Sequence, residues 1–182
     1  MKHVVMIFIL FILNLRIKTL YKFKSNLPTL LYGVFVNFIY YILCNHHLLW
    51  EFTSPQLKVK TLRKMHIFLS TPMIILLFLT NMPKKMSMRI LHVMKFTIAS
   101  TIFEWFALRK LNMIVFQHGW TILWSGIVYL KMFVYCYLFT KNRIITGFFS
   151  IMSVCFFLFQ FRVPLNVNDI GRNIRHVSDQ LK

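Results

Sequence analysis

The chain is poor in acid. Its 182 residues hold four carboxylate side chains, Glu51, Glu104, Asp169 and Asp179, against 22 lysines and arginines. Charged residues make up 14% of the whole, well under the roughly 25% usual in water-soluble domains. Glycine is scarce as well, five residues in all, which leaves little material for a phosphate-cradling loop or a nucleotide fingerprint. The three cysteines, Cys44, Cys136 and Cys155, are odd in number, far apart and set in apolar stretches, so neither a disulfide framework nor a cysteine-rich metal site can be read from them. No His-Glu-x-x-His pattern occurs, and no nucleophile has a base at credible spacing. No metal or cofactor is expected.

Apolar residues fill the space left by these absences. They make up 58% of the chain, with twenty phenylalanines and a mean hydropathy of +0.63, and they fall in long blocks separated by short basic clusters. A formal charge of +18 would suggest nucleic acid as the partner of a soluble protein. Here the basic residues flank apolar blocks instead of forming one face, as expected where cationic loops meet lipid headgroups. The lipid bilayer is therefore the expected partner, a homo-oligomer is compatible with it, and nucleic acid is excluded.

A helix needs about 20 residues at 1.5 Å each to cross the hydrocarbon core. Five stretches qualify: Leu27 to Trp50, Met65 to Asn81, Met88 to Leu108, Gly119 to Phe139 and Ile144 to Val163. A sixth candidate, Val4 to Leu15 (extendable to residue 20), is short, about 18 Å at helical rise, and reads either as a short span or as an interfacial helix. No small-residue cleavage pattern follows it, so it is not read as a secretory signal. Period-two alternation is absent from runs such as Ile74 to Leu79, which excludes a barrel. The expected fold is all-α: one polytopic transmembrane bundle over residues 1–165, with short linkers that make neighbouring helices antiparallel. Residues 166–182 repeat Ile170, Ile174, Val177 and Leu181 at helical spacing, which suits an amphipathic surface helix or a frayed tail. Basic residues divide almost evenly between the two faces; the compact clusters at Arg16 to Lys24, Lys84 to Arg89 and Lys141 to Arg143 incline that face toward the cytoplasm.

Both glutamates abut a tryptophan, in Trp50-Glu51 and Glu104-Trp105. With alternating spans these ends share one membrane face, joined by His118, Gly119 and Trp120, by His46 and His47, and by Gln160 and Arg162. On continuous helices His47 and Glu51 stand at i and i+4. Thr97, Ser100 or Thr101 and Glu104 form one polar stripe, and His118, Thr121 and Ser125 another. Glu51, Glu104, His118, His47, Trp50, Trp105 and Trp120 then compose a candidate polar pocket that binds a cation or relays protons. The competing account is interfacial anchoring by tryptophan, with Arg109 and Arg162 neutralising the acids. Lys131 completes the candidate set. It lies near the centre of its span, where a lysine costs about 2.5 to 3.5 kcal/mol, and Asn37 is a candidate partner. Lys95 is expected to snorkel, and Ser125 with Gly126 to allow close helix approach.

The order and spacing of Leu27-Pro28-Thr29-Leu30-Leu31-Tyr32, Leu49-Trp50-Glu51, Asn81-Met82-Pro83-Lys84, Glu104-Trp105, His118-Gly119-Trp120, Trp124-Ser125 and Val163-Pro164-Leu165 cover most of residues 27 to 165. In this the chain resembles a family of small uncharacterised multi-pass membrane proteins of spore-forming Gram-positive bacteria, Bacillus-like and clostridial. The resemblance implies a multi-pass protein of a bacterial cell membrane. Three readings of function follow: a non-enzymatic envelope or sporulation-related protein, a small ion-coupled transporter using Glu51, Glu104 and Lys131, and an intramembrane lipid-modifying enzyme with a glutamate base near His118.

Overall fold

A computed structural model describes residues 2–44 and 47–164. Helices α1 (Lys2–Arg16), α2 (Thr19–Leu43), α3 (Val59–Thr80), α4 (Met86–Arg109), α5 (Ile122–Phe139) and α6 (Arg143–Gln160) carry the fold. The last five are long and apolar enough to cross a membrane. Two short strands, β1 (Trp50–Phe52) and β2 (Ile114–Phe116), lie in the loops after α2 and α4. The architecture is an all-α bundle of membrane-spanning helices, as the hydropathy pattern leads one to expect. The surface tail expected over 166–182 falls outside the described residues, as does His46.

Span limits shift in informative ways. The first span starts at Thr19, within the basic cluster Arg16 to Lys24, and its helix ends at Leu43, seven residues before Trp50. Leu48, Leu49 and Trp50 are apolar without being helical, so composition alone runs the span through a loop and a strand. The second span begins at Val59 and takes in Lys60, Arg63 and Lys64. Within it the helix widens to a π-turn over His66–Ser70. Pro72 supplies the cause, since it has no N–H and its ring crowds the carbonyl four residues back. The Thr71 N–H and hydroxyl instead both donate to the His66 carbonyl, the hydroxyl at 3.0 Å.

Helix α1 packs along the bundle and does not lie flat across its end. The buried His3 meets His66 of α3 at 2.9 Å, and the amide of the buried Asn14 donates to the Met73 carbonyl of α3 at 3.3 Å. The contacts run along α1 from its first turn to its last. At 15 residues it is about 22 Å long.

The core is built where α2, α3, α4 and α5 meet. Leu30, Ile75, Leu76 and Cys136 form one cluster, and Phe78 packs on Phe133 and Phe96 beside it. Gly33 permits the α2–α3 approach: a Cβ there would stand 2.2 Å from the Ile75 Cδ1. Helix α6 buries Thr146 alone and leaves Phe148, Phe149, Phe156 and Phe159 exposed. In water that surface would be a liability, whereas against lipid chains it is the normal outside of a bundle.

The strands close one end. They pair antiparallel with Trp50 opposite Phe116, Glu51 opposite Val115 and Phe52 opposite Ile114. Backbone bonds from Gln117 to Leu49 (2.8 Å) and from Thr53 to Met113 (2.9 Å) extend the ladder by a residue on each side. These strands are a departure from the purely helical expectation, and they lie outside the spans. The Tyr40 hydroxyl ties the same region to α2, donating to the Trp50 carbonyl at 2.8 Å and accepting from the Leu49 and Trp50 N–H groups at 3.0 Å.

Candidate functional site

The sheet end gathers most of the polar residues, but not into one pocket. Glu51 sits on β1, 8% exposed. Its Oε2 accepts from Arg63 through Nε at 3.0 Å and through a second, shorter bond from Nη2, and its Oε1 accepts from the Phe52 N–H at 3.1 Å. The guanidinium also lies over the Tyr41 ring, 4.8 Å from its centre. Among the described residues this is the one ion pair. The arginines suggested by the sequence as neutralisers, Arg109 and Arg162, are exposed and do not fill that role. Arg63 does, because α3 begins earlier than its apolar run and carries the side chain back to the strand.

Glu104 is equally buried, near the end of α4, and meets only hydroxyls. Its Oε1 accepts from Ser125 and its Oε2 from Tyr129, both at 2.5 Å. The Ser125 Oγ in turn accepts from the Trp120 indole N–H at 2.9 Å. Helical geometry explains the set, since Ser125 and Tyr129 are one turn apart on α5 and present adjacent donors to α4. Thr97 and Thr101 continue the facing stripe on α4, and Thr101 lies 3.4 Å from where a Gly126 Cβ would be. Tyr129 is absent from the sequence-derived set, although its i+4 relation to Ser125 was a usable signal.

The other candidates scatter. His47 and Glu51 are not i and i+4 on a helix, because α2 ends at Leu43. His118, Thr121 and Ser125 likewise share no helical stripe, because α5 begins at Ile122 and His118 adopts φ +51° beside Gly119 at +79°. This left-handed pair turns the chain into α5, a conformation histidine tolerates better than most residues. Exposed His118 stacks instead on His47, ring centres 3.6 Å apart. Burial lowers the His47 pKa first, His118 lowers it further, and a hydrogen bond with the Phe161 carbonyl works the other way. Two rings lying face to face do not converge their nitrogens on a common point, and no cluster of three metal-ligating side chains occurs among the described residues. Trp50 stacks on Tyr40 at 5.1 Å, Trp120 packs on Phe157 and Phe161, and Trp105 is exposed on the outside of α4.

Lys131 stands apart from all of these. The proposed partner Asn37 donates to the Gly33 carbonyl (3.1 Å) and the Thr71 hydroxyl (3.4 Å), both away from Lys131. The ammonium lies over the Phe157 ring at 4.2 Å and that of Tyr135 at 6.0 Å, at the edge of a cavity of about 310 Å³ between α5 and α6. Lys95 is exposed.

A second polar pair was invisible in sequence. The His3 Nε2–H donates to the Thr53 carbonyl at 2.9 Å, so neutral His3 accepts at Nδ1 from the Nε2–H of His66, also at 2.9 Å. Phe52 stacks on His66 with ring centres 3.5 Å apart. Comparison with family models, with curated proteins and with solved structures gave no match.

Proposed function

We propose that the chain is a non-enzymatic integral protein of a bacterial cell membrane, serving the envelope or sporulation, in keeping with its resemblance to small multi-pass proteins of spore-forming Gram-positive bacteria. The observation that carries this reading is the separate commitment of the two glutamates. Glu51 is neutralised by an arginine on α3, and Glu104 is held by hydroxyls on α5. Each bond set joins two elements of the bundle, which is what structural polar groups do, and the two acids share no partner. The lipid-enzyme reading, a glutamate base beside His118, has less support, because His118 stacks on His47.

Ion-coupled transport through Glu104 is the second reading, favoured by one observation: this intramembrane carboxylate meets no cation, only Ser125 and Tyr129. Purified protein in liposomes loaded with a pH-sensitive dye separates the two. The structural reading expects no proton or monovalent-cation flux above empty liposomes under an imposed gradient. Flux that Glu104→Gln abolishes would overturn it in favour of transport.

A further inference from the structure

The crevice between α5 and α6 has a chemistry that the structural role of the bundle does not use. Lys131 is the tenth of 18 residues in α5, so its Cα lies about 13 Å from one end of the helix and 12 Å from the other. That is mid-depth in a hydrocarbon core about 30 Å thick. Neither α5 nor α6 contains an acidic residue, and the two glutamates are engaged elsewhere. Phe157 and Tyr135 offer their ring faces, an attraction weaker than a carboxylate would supply. Next to the ammonium the cavity is walled by Ile127, Met152 and Phe157 and edged by two hydroxyls, Tyr135 and Ser153, 3.0 Å from each other. The Tyr135 hydroxyl is also 3.4 Å from the Phe149 carbonyl, so the ammonium and one hydroxyl proton are what the slot can offer a ligand, and its volume is at the lower end of ligand pockets.

We infer that the α5–α6 crevice binds the carboxylate of a long-chain fatty acid, with Lys131 as its counter-ion, the Ser153 hydroxyl, which can accept from Tyr135, as hydrogen-bond donor and the apolar walls holding the first part of the chain. Depth selects this ligand over a phospholipid. A headgroup anion is confined to the surface, half the hydrocarbon thickness away, whereas a single-chain acid enters the core protonated. At the site the carboxyl proton is lost to water and the carboxylate left behind pairs with the Lys131 ammonium, with no other bond changed. The remaining chain leaves the slot along the exposed apolar face of α6.

Trp124 reports on the site, since its ring lies 6.3 Å from Phe156 and 5.9 Å from Phe157. The full chain in phosphatidylcholine nanodiscs would be titrated with dibromostearic acid while tryptophan emission is followed. Saturable quenching is expected, with Lys131→Met binding about tenfold or more weakly, Lys131→Arg near wild type, and the methyl ester of the same acid binding the wild type no better than the acid binds Lys131→Met. The ester comparison needs no variant, so it stands even if Lys131→Met misfolds. Equal affinity of acid and ester, or of wild type and a folded Lys131→Met, would overturn the inference. Lys131-dependent quenching by brominated phosphatidylglycerol would overturn it too, assigning the site to headgroup phosphate.

Discussion

Removing Arg63 tests whether the sheet end is held by charge or only by backbone pairing. Exposed ion pairs are worth about 0 to 1 kcal/mol, and breaking a buried one costs about 3 to 5. The Arg63 and Glu51 side chains are 12% and 11% exposed, which puts them nearer the buried limit. Arg63→Met leaves the Glu51 carboxylate with only the Phe52 N–H, and it also forfeits the cation over the Tyr41 ring. We expect a loss of about 2 to 4 kcal/mol for Arg63→Met and a smaller loss for Glu51→Gln, because a neutral amide tolerates burial better than a lone carboxylate. The double variant should be less destabilised than the sum, by a coupling of about 1 to 3 kcal/mol. Equilibrium unfolding in mixed micelles of the wild type, both single variants and the double variant gives that coupling directly. A value below about 0.5 kcal/mol would show that the pair is incidental and that the strand ladder holds this end alone.

Glu104→Gln should cost about 1 to 2 kcal/mol in the same assay, since the amide keeps one acceptor oxygen but turns an NH₂ toward the other hydroxyl; Glu104→Ala should cost more, near 2 to 4. Gly33→Ala should lose about 1 to 3 kcal/mol by overpacking against Ile75, and Ile75→Val, which deletes the clashing Cδ1, should recover much of it. Failure of that rescue would place the strain elsewhere. His3 and His47 both have pKa values held below 6.5, by burial before any other cause. The unfolded chain then takes up protons first as the pH falls, so their contribution to stability is complete above about pH 6.5 and declines below it toward the lowered folded values. Unfolding midpoints at about pH 7.5 and about pH 5 should differ, and the difference should shrink in His3→Gln and in His47→Gln.

Hydropathy made the five spans legible, because nothing but length and apolar content is needed to recognise them. Their ends were less so. Leu48, Leu49 and Trp50 are apolar in a loop and a strand, where no charge marks the helix stop at Leu43. Strands of three residues are too short to show alternation, and their partner is in another loop, so β1 and β2 had no local signature. Assigning both glutamates to one membrane end needed only alternation of the spans. Predicting Arg63 as the partner of Glu51 would have required knowing where α3 begins, and a basic residue at a span edge looks the same whether it snorkels or pairs. The Ser125 and Tyr129 contacts to Glu104 follow helical spacing and were within reach of sequence. The His3–His66 bond joins segments with no periodic relation and was not.

The strand pairing also bears on the order in which the protein is assembled. β1 and β2 are separated by roughly sixty residues of chain, including two membrane helices, so their closure cannot nucleate locally. During synthesis β1 is exposed as soon as α2 is inserted, and it waits with unpaired backbone groups until α4 has been delivered and β2 has emerged behind it. A nascent chain stopped after α3 therefore presents a sticky edge. A chain released only after β2 has that edge covered. That edge is covered by the arrival of residues 114–116, ahead of the last two helices.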